Sequence, residues 1–260
     1  MGGAHQFFIP AGRSFFSTLQ ANIFALLREE SQIDPFLTEF GYTYDMFKRT
    51  INGENSGLSL FSLSQHPKKG SEEILDLFKT ILNGSYYRDK DKDFIILNDS
   101  RKISTQFASS GQQELLPLSL IIRGLTTHDF DGGRIVLYVE EPEAHLFPAA
   151  QKKMVEVFAT LFNTPMRKIQ LIITTHSPYI LSAFNNLIEA GNLVQDQKGV
   201  EKVIPASRHL TFEEITAYSL SESGAQSLMD GDARLIHAET LDQVSNDIAE
   251  EFEQLLSIEE

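Results

Sequence analysis

Apolar residues recur at helical spacing through two early segments, 14–30 and 34–50, with Phe16, Leu19, Ile23, Leu26 and Leu27 along the first stripe. Ser14 can cap the first helix, and Asp34 before Pro35 can start the second. The stretch 52–70 is rich in Gly, Ser and Asn and predicts a loop; a short helix over 72–82 then stops near Asn83-Gly84. Residues 86–97 predict a hairpin turning on the charged run Asp89 to Lys92, which reads as a solvated tip. From Lys102 onward the pattern becomes strand, helix, strand, helix, strand, helix. Residues 103–107 predict a strand and 112–124 a helix interrupted or kinked near Pro117. The runs 135–139 and 169–174 predict buried strands on either side of a helix over 149–162. Ser177-Pro178 supplies an N-cap and first-turn proline for a helix to about Ala190. The run 194–204 predicts a hairpin, and Thr211 to Glu214 a capping box opening a short helix. A last helix, 241–256, places Leu241, Val244, Ile248, Phe252 and Leu255 on one stripe and acids on the other.

Two buried strands joined by one helix imply parallel neighbours with a right-handed crossover. The expected fold is therefore α/β, a parallel sheet flanked by helices. The expected organisation is one domain over 1–260: a largely helical part at 14–93, a core at 102–190, and a C-terminal hairpin and helices at 191–260. Composition agrees with a globular chain, at 42% hydrophobic and 22% charged. A net charge of −14 argues against a surface coated for nonspecific nucleic-acid binding, though a local basic face stays compatible. With no cysteine, disulfides and thiolate metal sites are excluded, which fits a reducing cytoplasm. No apolar run approaches the roughly 18 residues of a membrane helix, so no membrane partner is expected.

Three polar segments fall at strand ends or helix starts, where open α/β sheets bind ligands. In the first, Ser109, Ser110, Gly111, Gln112 and Gln113 precede a helix. A Ser-Ser-Gly turn is a common cap, and it can equally offer hydroxyls and main-chain N–H groups to an anion. In the second, Glu140 and Glu141 end a strand with no polar spacer, before Pro142-Glu143-Ala144-His145. A strand-end carboxylate can hold hydrated Mg²⁺, and a second beside it can activate water. Adjacent strand residues face opposite sides, so the two are no glycosidase couple. Buried carboxylates also need a positive partner. In the third, Thr174-Thr175-His176 precedes Ser177-Pro178, and His176 could donate to a phosphate.

In this order and spacing, SSGQQ, IVLYVEEPEAHL and IITTHSP resemble the signature loop, Walker B strand with D-loop, and switch histidine of an ABC-type ATPase head. The wording EEPEAHLFP with TTHSPYIL, and FIPAGRSFF at 8–16, is similar to prokaryotic AAA-labelled ATPases related to the SMC and OLD groups. The resemblance covers 109–190 most closely. It implies a P-loop NTPase fold, ATP and Mg²⁺ as ligands, and ATP hydrolysis in a head-to-tail dimer, often in phage-defence or DNA-related systems. By the same resemblance Glu140 holds Mg²⁺ through water, Glu141 is the general base, and His176 contacts the γ-phosphate. Ser109, Ser110, Gly111, Gln112 and Gln113 would reach nucleotide on the opposing subunit, and Ala144, His145 and Leu146 would line the interface as D-loop.

The chain departs from that pattern in three places. Glu140 stands where Asp is usual, Gln112 stands where transporters carry Gly, and no G-x-x-x-x-G-K-[ST] phosphate loop occurs in the 260 residues. The loop would come from an N-terminal lobe preceding HQFFIPAGR, or from another chain; Phe7, Phe8 and Ile9 read as a strand re-entering the domain. The expectation is weak hydrolysis by this chain alone. Competing readings are a non-catalytic dimerisation module, a transporter subunit, and a nuclease resting on Asp230-Gly231-Asp232, a pair of acids that otherwise forms a turn.

Overall fold

The computed structural model describes residues 4–19, 34–51, 62–63, 70–90, 92–129, 133–164, 168–194, 198–238 and 243–257. They group into two units, Met1–Thr175 and His176–Glu260.

In the first unit the chain enters as β1 (His5–Ile9), turns through Pro10 to Arg13 and begins α1 (Ser14–Leu19). The remainder of the helix expected to Glu30 lies outside the described residues. Next comes α2 (Pro35–Ile51), capped by Asp34, whose Oδ1 accepts the N–H groups of Phe36 and Leu37. β2 (Ser62–Leu63) falls inside the stretch expected to be loop, and α3 (Ser71–Leu82) ends at Asn83 in the left-handed region. β3 (Gly84–Asp89) and β4 (Lys92–Leu97) form the expected hairpin. β5 (Lys102–Ser104) pairs antiparallel with β4 and gives way to a 3-10 turn at Thr105–Phe107. The strand expected over 103–107 is thus shorter, and it completes a separate antiparallel sheet instead of joining the parallel one.

α4 (Ser110–Thr127) continues uninterrupted past Pro117. Proline has no N–H to offer the carbonyl four residues back, and Ser17 Oγ donates to that oxygen, on Gln113, at 2.6 Å. The deficit that should have interrupted the helix is met from α1. β6 (His128–Asp129) pairs with β2, and β7 (Ile135–Glu140), α5 (Pro148–Phe162) and β8 (Ile169–Thr174) complete the unit.

The parallel sheet has the order β1-β7-β8, with His5 opposite Ile135, Ile9 opposite Val139, and Glu140 opposite Thr174. Ile135, Leu137 and Val139 are buried because helices flank the sheet, as the apolar run predicts. α1, α2 and α3 each pack on α4, and α3 also packs on α5. Phe7, Phe16, Phe40, Tyr44 and Phe47 fill the space between β1 and the first helices. Within it, Lys48 Nζ donates to Asp93 at 2.9 Å and the Tyr86 hydroxyl donates to the same carboxylate, tying α2 to the hairpin. The fold is α/β, a parallel sheet flanked by helices.

The second unit begins with α6 (Pro178–Leu193), in which Ser177 Oγ accepts the Tyr179 N–H as the expected cap. The hairpin expected at 194–204 is not formed by its described residues: Lys198 and Gly199 make a turn into a 3-10 helix, Val200–Lys202. The capping box at Thr211 and Glu214 is present and opens only a single 3-10 turn, Phe212–Glu214. Two small hairpins follow, β9 (Tyr218–Ser221) with β10 (Gly224–Ser227) and β11 (Met229–Asp230) with β12 (Leu235–Ile236). The last helix, α7 (Gln243–Leu256), leaves Ile248, Phe252 and Leu255 about 60% exposed. Leu241 of that stripe lies outside the described residues.

Candidate functional site

β7 ends at Glu140, and there the chain leaves extended geometry abruptly. Glu141 has φ 42 and His145 φ 58, left-handed values that cost a side-chain-bearing residue about 1–2 kcal/mol each. Glu141 therefore does not continue the strand's alternation, and the rule that adjacent strand residues face opposite sides stops applying at Glu140. The turn is held by main-chain bonds. Glu141 N donates to Thr174 O on the neighbouring strand at 3.0 Å, Ala144 N to Glu141 O at 3.0 Å, and Leu146 N to Glu143 O at 2.9 Å. The carboxylates are supported too. Ala11 N donates to Glu140 Oε2 at 3.2 Å, and Thr175 Oγ1 donates to Glu143 Oε1 at 2.8 Å. Glu140, Glu141 and Glu143 are half-buried, while His145 is exposed.

Against the main chain of the acid turn lies a buried cation, Arg13, which motif reading passes over. It is 1% exposed. Its guanidinium donates to four main-chain carbonyls: Nε to Glu114 at 2.9 Å, Nη1 to Pro10 at 3.1 Å and Glu140 at 3.0 Å, and Nη2 to Glu141 at 3.3 Å. The Glu114 carboxylate, 3.7 Å from Nε, is its buried counter-ion. Burial pulls the Arg13 pKa below its ordinary value, and the charges of Glu114, Glu143 and Glu141 push it back. A sequence signal existed in the demand for a cation near Glu140 and in the GR that follows β1.

Ser109 and Gln112 cap α4 reciprocally. Gln112 Oε1 accepts Ser109 N and Oγ at 3.1 and 3.2 Å, and Gln112 N donates to Ser109 Oγ at 3.4 Å. The Gln112 amide also donates to Leu82 O, and the Gln113 amide to the carbonyls of Thr105 and Gln106. Gly111 lies flat against the acid turn: a Cβ built there would stand 2.7 Å from His145 O. The first two polar segments thus meet in one place. Ser110 is exposed at the start of α4, and Ala144 and Leu146 are half-buried in the turn.

His176 is the exposed first residue of the second unit, immediately before the capped helix α6. Asp230, in that unit, spends its Oδ1 on the N–H groups of Asp232 and Ala233 within the β11–β12 turn, so these acids form a turn. Among the described residues no group of three or more His, Asp or Glu side chains is arranged to enclose a metal. Magnesium bound through one or two carboxylates and nucleotide phosphates needs no such cage. Glu140, aligned by a main-chain N–H at the sheet's carboxyl edge, fits that use.

None of the curated proteins matches the chain. The AAA ATPase domain family matches residues 13–181, more than half of it, from the buried arginine through the Ser109–Gln113 loop and the acid turn to the helix after His176. The chain belongs to the AAA ATPase domain family, a family of ATP-binding and ATP-hydrolysing proteins.

Proposed function

We propose that this chain is the part of an ABC-type ATPase head that carries the signature loop, the acid pair and the switch histidine. It works as a head-to-tail dimer in a prokaryotic phage-defence or DNA-related system. The observation that carries the reading is the pair Glu140–Glu141 at the carboxyl end of a parallel strand, turned sharply by a left-handed Glu141. Bound Mg²⁺ would neutralise charge on the ATP phosphates. Glu140 supplies a carboxylate to hold that ion through water, and Glu141 takes the proton from the attacking water. His176 donates to the γ-phosphate. Ser109, Ser110, Gly111, Gln112 and Gln113 form the edge that meets nucleotide held by the opposing copy, with Ala144, His145 and Leu146 beside them. Since the amides of Gln112 and Gln113 are committed within the chain, Ser110 and the first main-chain N–H groups of α4 carry that contact.

The phosphate loop comes from sequence other than these 260 residues or from a partner chain, so the chain alone hydrolyses ATP weakly. Among the described residues β8 pairs only with β7. Its far edge offers main-chain groups to a further strand, which would bring a phosphate loop beside Thr174 and the acid turn. A second reading, a non-catalytic dimerisation module, is favoured by the missing loop and the internally committed glutamines.

Mg²⁺-ATP turnover and ATP binding of E141Q, in protein joined to a phosphate-loop strand, decide between these. The catalytic reading expects turnover to fall about 10²–10⁴-fold with binding retained. Unchanged turnover removes Glu141 as the base. Absence of both turnover and binding before substitution favours the module.

A further inference from the structure

Arg13 spends its donors on peptide carbonyls. Two belong to consecutive residues, Glu140 and Glu141, one to Glu114 on α4, and one to Pro10 in its own turn. Three separate pieces of chain therefore converge on one guanidinium: the turn after β1, the helix that begins with the signature-like loop, and the acid turn. The same turn after β1 also aligns a carboxylate, through Ala11 N and Glu140 Oε2. At the other end of the junction Gly111 sits against His145 O. The acid turn is thus gripped from both sides by the start of α4 and by what is anchored to it.

The Glu141 peptide has reason to need a grip. In the left-handed region an L-residue is disfavoured and persists only where its surroundings over-determine it. Glu141 O accepts from both Arg13 Nη2 and Ala144 N, while Glu141 N is held by Thr174 O. Release of the carbonyl would let the residue relax toward extended geometry and carry its carboxylate elsewhere. A lysine could keep the charge but not the planar fork that reaches several carbonyls at once.

We infer that Arg13 is the positioning residue of the acid pair, fixing the Glu140–Glu141 peptide to the start of α4 so that the two carboxylates and the signature-like loop keep one mutual geometry. The inference rests on reading Glu140 and Glu141 as the hydrolytic acids, and Arg13 acts through them without touching nucleotide. It also gives a route from the signature-like edge to the acids within a single copy, since any displacement of α4 pulls on the Glu141 carbonyl through one side chain.

Residue-resolved amide exchange on the nucleotide-free chain tests this independently of hydrolysis. R13K is compared with E114Q, which removes the counter-ion charge and leaves all four carbonyl bonds possible. The expected result is cooperative melting of R13K with exchange at Ala11, Glu141 and Ala144 faster by about tenfold or more. Leu137 and Val139 in β7 keep their protection, and E114Q leaves all five amides unchanged. Unchanged exchange in R13K, equal acceleration in E114Q, or loss of cooperative melting in R13K would each overturn the proposal, the last because Arg13 would then hold the fold and not the turn. None of these outcomes bears on the E141Q turnover test, so the two ideas fail separately.

Discussion

Gly111 is where two candidate loops touch, and its lack of a side chain is what permits the contact. A Cβ there would stand 2.7 Å from His145 O, a main-chain atom that a side-chain rotation cannot clear. Two effects oppose each other in G111A. Alanine gains about 1 kcal/mol of helix propensity, whereas forcing a packed main chain aside costs about 1–3 kcal/mol. At the first turn of a helix the propensity gain is at its smallest, so sterics win. G111A is expected to lower the melting temperature and to speed amide exchange at Leu146, whose N–H is held within the displaced turn. A variant as stable as the parent would mean that the turn shifts freely. At this scale the sequence was readable where side chains act on their own neighbourhood. The Ser-Ser-Gly turn caps its helix, through Ser109 and Gln112, and Asp34 caps the helix it precedes. Arg13 was not readable, because all its hydrogen bonds go to carbonyls, and every residue has a carbonyl. Only the charge problem at Glu140 hinted that a cation had to arrive from somewhere.

Helix α4 shows the same limit one level up. Proline at 117 predicts an interruption from local chemistry, yet the helix continues because Ser17, nearly a hundred residues earlier, donates to the stranded Gln113 carbonyl. Thr105 in turn donates from its hydroxyl to Ser17 O, so α1 is seated against the 3-10 turn before α4. S17A is expected to cost about 0.5–1.5 kcal/mol, the net worth of a hydrogen bond to this part-buried carbonyl. P117A returns an N–H to the helix and gives Gln113 O an intrahelical partner. The S17A penalty should therefore shrink in the P117A background, and a double-mutant cycle by denaturant unfolding should show coupling of about 0.5–1.5 kcal/mol. Additive effects would show that the Ser17 bond contributes nothing specific to the proline. The short strand β5 was misread for a related reason. Its one apolar residue, Ile103, fits a strand in either sheet, and only the hairpin it pairs with decides that it lies antiparallel beside β4.

Across the molecule, the parallel sheet and its helices were legible because their runs carry long, one-signed hydrophobic patterns, although β8 leaves Gln170, Ile172 and Thr174 exposed where a buried strand is expected. The small hairpins at 218–236 were not legible, since they expose most of their residues and leave no strict alternation to read, whereas the last helix falls at Gln243–Leu256 as its stripe predicts. That contrast has an energetic counterpart. The large contiguous core, from Ile9 to Ile169, lies wholly within 1–175. The second unit buries a smaller set, Ile180, Leu181, Leu187, Ile188, Leu210, Leu228 and Ile236. Each such side chain contributes about 1.5–3 kcal/mol against a similar conformational cost, so a unit with few of them is marginal by itself. Arg13, Glu114, Gly111, Thr174 and Thr175, which hold the acid turn, also lie in the first unit. A fragment ending at Thr175 is therefore expected to unfold cooperatively and to keep slow exchange at Glu141 and Ala144. A fragment beginning at His176 should melt without a sharp transition. Fast exchange at Glu141 in an otherwise folded 1–175 fragment would instead make the second unit a part of the clamp, and would move the support of the acid pair from the first unit to the whole chain.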